Sequence, residues 1–229
     1  QANTTQYIIS DIEMIRKDLD IDKFVIFGGS WGSLLALAYG VQYPDKCIGF
    51  ILRGIFLGTT EELRWFLFEM GRFFPDAHKD FLSVLPEIEQ KDLLPNFYKR
   101  LLNPDPKVHL NAAQAWSSYE SSCSRLVPPP GQSIATSLPL ARIECHYFIN
   151  NMFLTDTYIT DRLNYIEHLP CILIQGRYDI ICPPWTAQNL ASIWKKSKLK
   201  LIENAGHSAF EPGINLALLE ATEEMKKWS

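Results

Sequence analysis

The chain has 229 residues, 47% of them hydrophobic, and a formal charge of −4. That length holds one domain of ordinary size with an insertion, or two small ones. The charge leaves no basic footprint for nucleic acid and no polybasic patch for a membrane surface. No apolar run approaches a transmembrane helix.

Cys47, Cys123, Cys145, Cys171 and Cys182 are odd in number and lie mostly within apolar segments. They read as buried thiols of a reducing compartment, so the expected location is cytoplasmic. The polar opening Gln1-Ala-Asn-Thr-Thr contains no signal-peptide core, and the sequon at Asn3 matters only in a secreted protein. No Cys/His cluster has zinc spacing, and neither a metal nor a cofactor is expected.

Asn3 or Thr4 reads as an N-cap. Ile8, Ile9, Ile12, Ile15 and Leu19 then recur at helical spacing and predict an amphipathic helix over Thr5 to Leu19. The stretch Lys23-Phe-Val-Ile-Phe predicts a buried strand. It runs into Gly28-Gly-Ser30-Trp-Gly32, a G-x-S-x-G turn, and then into an Ala/Leu-rich helix ending near Tyr43-Pro44. Strand, tight turn and helix together form the setting of a nucleophile elbow, which lifts the serine Oγ out at the C-terminal end of a sheet. Ile48 to Arg53 predicts a second buried strand, and the alternation argues a parallel α/β sheet.

The pattern changes at about Phe56. From there to Asp161 the sequence predicts helices over Glu61–Phe74, Lys91–Leu102, Pro106–Ser118 and Leu138–Asn150. Prolines punctuate them at Pro75, Pro104, Pro106 and Pro128-Pro-Pro130. Residues 57–161 therefore read as a helical cap inserted into an α/β core made of residues 1–56 and 162–229. The α/β pattern resumes with a strand at Cys171 to Gln175, a helix around Thr186 to Trp194, a strand at Lys200 to Glu203, and a closing helix from Gly213 to Trp228.

Asp179 follows the strand at 171–175, and His207 follows the strand at 200–203 within Asn204-Ala-Gly-His. Both fall on the rim where an open α/β sheet places its ligands. The order Ser30, Asp179, His207 is that of an α/β-hydrolase triad. A serine hydroxyl is a poor nucleophile at neutral pH, so His207 is assigned to take its proton. Asp179 is assigned to fix the imidazole tautomer, and the Trp31 backbone N–H to donate to the oxyanion. A serine nucleophile disfavours the dehalogenase and epoxide-hydrolase chemistries, which need Asp. On spacing alone, Glu120 and Glu144 read as a solvated helix face, and Phe56 and Phe148 as core.

A resemblance adds to that reading. The segments Phe27-Gly-Gly-Ser-Trp-Gly-Ser33, Leu52-Arg-Gly-Ile-Phe-Leu57, Ala115-Trp-Ser-Ser-Tyr-Glu120, Ala141-Arg-Ile-Glu-Cys-His-Tyr-Phe148, Gln175-Gly-Arg-Tyr-Asp179 with Cys182-Pro183, and Gly206-His-Ser-Ala-Phe-Glu-Pro212 resemble the prolyl aminopeptidases, or proline iminopeptidases, of the α/β-hydrolase superfamily. The resemblance spans essentially the whole chain. It implies a serine exopeptidase that releases N-terminal proline from peptides without a cofactor. It also implies that Glu120 and Glu144 hold the substrate's amino group, that Phe56, Phe148 and Cys182 wall the pyrrolidine pocket with Phe66 as a further wall, and that Arg53 helps neutralise the two acids.

A terminal proline is a secondary ammonium with two N–H donors, and two carboxylates give each donor a charge-assisted acceptor. The family's His-Gly-Gly-Pro-Gly loop and its first four strands are not in this sequence. The chain is therefore expected to be the C-terminal two-thirds of such a protein, with half an oxyanion hole and a bare apolar edge at strand 23–27. Losing an oxyanion donor costs about 3 kcal/mol. Two other functions stay open: an esterase or amidase of the same fold, and an inactive fragment or interaction module.

Overall fold

A computed structural model describes residues 3–127 and 138–228. The proline run at 128–130 lies outside the described residues. Four strands form one parallel sheet in the order β1-β2-β3-β4: β1 is Phe24–Ser30, β2 Cys47–Ile55, β3 Cys171–Gly176 and β4 Ser197–Ile202. Their register sets Gly28 against Leu52, Leu52 against Leu173, and Leu173 against Leu199. All four strands therefore end on one rim.

Successive residues of β2 and β3 serve opposite faces, which is why these strands read as unbroken apolar runs. Phe50, Leu52 and Leu173 pack into the larger core under α2 (Trp31–Gln42) and α8 (Pro184–Ile193). Ile51, Ile172 and Ile174 pack on the other face against Ile214, Ala217 and Ala221 of α9 (Pro212–Met225). Among the described residues β1 is an edge strand, with Phe27 56% exposed.

Helix α1 (Thr5–Asp18) begins where the Thr4 side chain accepts from Tyr7 N. It buries Ile9. It also buries Glu13, which accepts from Tyr39 Oη of α2 at 2.5 Å and from Arg16 Nε at 2.7 Å.

Between β2 and β3 the described elements are helical: α3 (Thr60–Arg64), α4 (Pro75–Ser83), α5 (Leu93–Leu101), α6 (Pro106–Cys123), α7 (Leu138–Ile149) and short turns. Their core is aromatic: Phe81 stacks on Phe97 and Tyr119, and Trp116 meets Phe81 and Phe97 edge-on, all with centroids under 6 Å apart. After α7 the chain turns through Asn151, Met152 and Phe153, all at positive φ. This costly conformation is held by Thr5 Oγ1 donating to Met152 O and Gln6 Nε2 donating to Phe153 O.

Three elements differ from expectation. The single helix expected over Glu61–Phe74 is broken: α3 gives way to a wide π-helical turn at Trp65–Glu69 and a tight 3₁₀ turn at Met70–Arg72. Helix α4 is additional, because Pro75 starts a helix rather than ending one. At the first helical position proline's missing N–H costs nothing. Helix α6 runs five residues beyond Ser118, since burial of Tyr119 and Cys123 outweighs the weak propensity of its serines. No described helix is long and apolar enough to cross a membrane.

Candidate active site

Ser30 closes β1 with φ 57° and ψ −128°, and α2 starts at the next residue. This left-handed conformation is unfavourable for a residue with a Cβ, and it turns the Oγ away from the sheet. The turn is tight enough that a Cβ on Gly28 would stand 2.3 Å from Gly32 O, which fixes glycine there. Ser33 Oγ braces the turn by donating to Ser30 O at 2.7 Å and accepting from Phe56 N at 3.0 Å.

Three strand ends bring the predicted triad together. His207 Nε2 lies 2.9 Å from Ser30 Oγ, and His207 Nδ1 lies 2.8 Å from Asp179 Oδ2. Asp179 is fully buried and His207 nearly so. A buried carboxylate needs donors, and Asp179 has them: Cys182 N donates to Oδ1 at 2.8 Å and Gln175 Nε2 to Oδ2 at 2.9 Å. Gln175 also donates to Cys182 O and accepts from Ile55 N, so one side chain joins β2, β3 and the acid's loop.

Arg53 departs from the role the resemblance implied. Its Nη1 donates to His207 O at 2.8 Å and lies 3.2 Å from His207 Nε2. The guanidinium serves the base and its loop. Burial pulls its pKa down, while Asp179 acts in the opposite direction.

Above Ser30 is a small cavity of about 40 Å³. Phe56, Phe66, Phe148, Ile181 and Cys182 wall it, and Ser30 and Trp31 form its floor. Phe66 meets Phe148 edge-on with centroids 5.4 Å apart. Glu120 of α6, Glu144 of α7 and Glu62 of α3 also line it. Glu144 Oε2 accepts from Trp116 Nε1 at 2.8 Å, and Glu120 lines the same cavity beside it. Burial pushes both carboxyls up. Glu144 goes well above the ordinary range, with the neighbouring Glu120 charge as a second cause, and His207 moderates the rise at Glu120.

Every predicted wall residue and both predicted acids therefore face one cavity, and Arg53 faces the triad instead. The Trp31 indole Nε1 is buried without a hydrogen-bond partner among the described residues. His78, His109 and His146 bond to backbone carbonyls, in keeping with structural roles.

Sequence reasoning missed Glu62, Gln175 and Trp116. Glu62 caps α3, accepts from Leu57 N, Thr59 N and Thr186 Oγ1, and so pins the segment after Phe56 to α8. Its signal was Thr59 followed three residues on by Glu62, a capping-box pattern. Gln175 was a lone polar residue ending an apolar strand. Trp116 stands one helical turn before Glu120 on α6, on the same face.

A family model described as the alpha/beta hydrolase fold matches residues 2–214. A solved alpha/beta fold family hydrolase from Bacillus anthracis strain Sterne superposes with a TM-score of 0.63 at 19% identity, over 96% of this chain and 73% of that one. The chain is similar to a probable proline iminopeptidase of Leptolyngbya boryana, 42% identical over 97% of this chain and 72% of that protein. It is similar to a proline iminopeptidase of Arabidopsis thaliana, 41% identical over 99% of this chain and 62% of that protein. The chain therefore belongs to the alpha/beta hydrolase family, on its proline iminopeptidase branch, and it spans 72% and 62% of these two relatives' length.

Proposed function

We propose that this protein releases N-terminal proline from peptides through an acyl-enzyme on Ser30, with residues 57–161 acting as a cap that selects the substrate. The observation that carries the reading is the pairing of two cavity-lining carboxyls, Glu120 and Glu144, with a Ser–His–Asp constellation across one small apolar cavity.

The chemistry follows from the positions. The prolyl ring enters between Phe56, Phe66 and Phe148, and its ammonium faces the two acids. His207 Nε2 takes the Ser30 proton as Oγ attacks the prolyl carbonyl carbon, and Asp179 stabilises the imidazolium. The Trp31 N–H, at the start of α2, donates to the oxyanion. The C–N bond breaks as His207 returns the proton to the leaving amine. Water, deprotonated by His207 in turn, then releases proline and restores Ser30.

An internal peptide bond brings no cation to Glu120 and Glu144. Its entry would leave buried acids without their partner, a cost that makes the enzyme an exopeptidase.

Incubation with Pro-X dipeptides and chromogenic prolyl amides tests the reading. Free proline is the expected product. Turnover of short acyl esters that matches or exceeds that of prolyl amides would assign the protein to an esterase instead.

A further inference from the structure

The loop that carries His207 is tied to the end of the helix that carries Glu120. Ser208 N donates to Ser124 O at 2.8 Å. Glu211 Oε1 accepts from Leu126 N at 2.8 Å and, more weakly, from Gly206 N at 3.4 Å. The two segments approach so closely that a Cβ on Gly206 would stand 3.0 Å from Leu126 N. Just before this contact, Ser124 Oγ donates to Glu120 O at 2.8 Å. Hydrogen bonds and the two-residue backbone step from Ser124 to Leu126 thus connect Glu120 to Glu211, and Glu211 to the residue before His207.

We propose that Glu211 is a positioning residue that straps the base's loop to the recognition helix and so sets His207 against Ser30. A general base on a loop needs support on the side away from its substrate, because a displacement of about 1 Å can cost about 10²-fold in rate. The His207 ring is held by Asp179, and its backbone carbonyl by Arg53. Glu211 supplies the other anchor. Its own backbone is fixed, with Glu211 N donating to Ser208 O at 3.1 Å and α9 beginning at the next residue. A carboxylate is an acceptor-only group, and here one oxygen gathers two backbone N–H groups from two segments. The strap gives the recognition acid and the base a common mechanical reference. The inference rests on the serine-nucleophile part of the proposed function and not on the identity of the acyl group.

Labelling of Ser30 by a fluorophosphonate probe reads this directly, because the rate depends on His207 and not on proline recognition. Glu211→Gln keeps an oxygen at the same reach, and Glu211→Asp withdraws it by one methylene. On the full chain, E211D is expected to label at least about tenfold more slowly than the unsubstituted protein, and E211Q within about threefold of it. The same order is expected in kcat for any acyl substrate, with KM changing less. Wild-type labelling by E211D, or E211Q as slow as E211D, would overturn the strap. Absence of labelling in the unsubstituted protein would overturn the serine-nucleophile reading and the strap together. Normal labelling without proline release would overturn only the proline assignment.

Discussion

The two halves of the candidate site are built on opposite electrostatic plans. On the sheet side, Asp179 has its charge fully matched: two donors besides His207 reach its oxygens, and Gln175 locks that arrangement to β2 and β3. On the helical side, Glu120 and Glu144 lie together in a cavity of aromatic walls, and the Trp116 indole donates to Glu144. Burial raises both of these carboxyls. The first plan suits a group that holds the His207 ring in place. The second suits a receptor that is incomplete until a cation arrives, since ionised buried acids are stabilised by the ammonium they recognise. Under the proposed function, the chemistry is assigned to the sheet side and the selectivity to the pair of acids on the helices above it.

The sharpest way to break this division is at the nucleophile. Ser30→Ala should lower kcat at least about 10³-fold for every acyl substrate, prolyl or not, while leaving prolyl binding nearly intact. Parallel kinetics and equilibrium binding of a prolyl inhibitor check both halves.

The helical side should fail differently. Glu144→Gln removes one charge-assisted acceptor, worth roughly 1.5–3 kcal/mol. It should therefore reduce kcat/KM for prolyl amides about 10- to 150-fold, with little change for a small neutral ester. A uniform loss on both substrates would place Glu144 in the catalytic machinery and dissolve the comparison.

The contrast also has a pH signature. Both carboxyls are raised above 4.5, so lowering the pH neutralises them before ordinary glutamates. A neutral pair binds an ammonium poorly. The ratio of kcat/KM for the prolyl amide to that for the neutral ester should accordingly fall with acidification, by up to about tenfold per unit. Taking the ratio cancels the shared dependence on His207. A ratio flat with pH would contradict recognition of the ammonium by ionised acids.

The smallest effect lies away from both halves. The hydrogen bond from Arg16, foremost, holds the Glu13 carboxyl down to about 2. A depressed acid contributes stability that is present above its unfolded value of about 4.5 and fades as the pH falls toward 2. Glu13→Gln should lower stability by about 2 kcal/mol at neutral pH, a few degrees in Tm, and by progressively less in acid. Relative turnover of prolyl and ester substrates should not move.

The sheet side was the more legible in sequence, for a physical reason. Each triad residue follows a short apolar run, and parallel topology then delivers all three strand ends to one rim. The glycines around Ser30 mark a turn that few other residues permit. The helical side was legible only through its resemblance to a family. Glu120 and Glu144 lie on helices whose periodicity, taken alone, puts a glutamate outside, and nothing local says that two helices bury these two against each other. Arg53 shows the limit of that route. A cation near two acids is a natural partner for them, yet the guanidinium reaches His207 instead. Long-range bonds such as Gln175 to Ile55 and Glu211 to Leu126 have no sequence period at all and emerge only from the fold.

The most direct test of the central claim compares a chromogenic prolyl amide with its N-acetylated counterpart on the same protein. Acetylation removes the ammonium and leaves the ring and the scissile bond in place. The account predicts hydrolysis of the first and a loss of at least about 10²-fold for the second, with the gap collapsing in Glu144→Gln. Equal hydrolysis of the two amides would show that the paired acids do not read the amine, and would contradict the account.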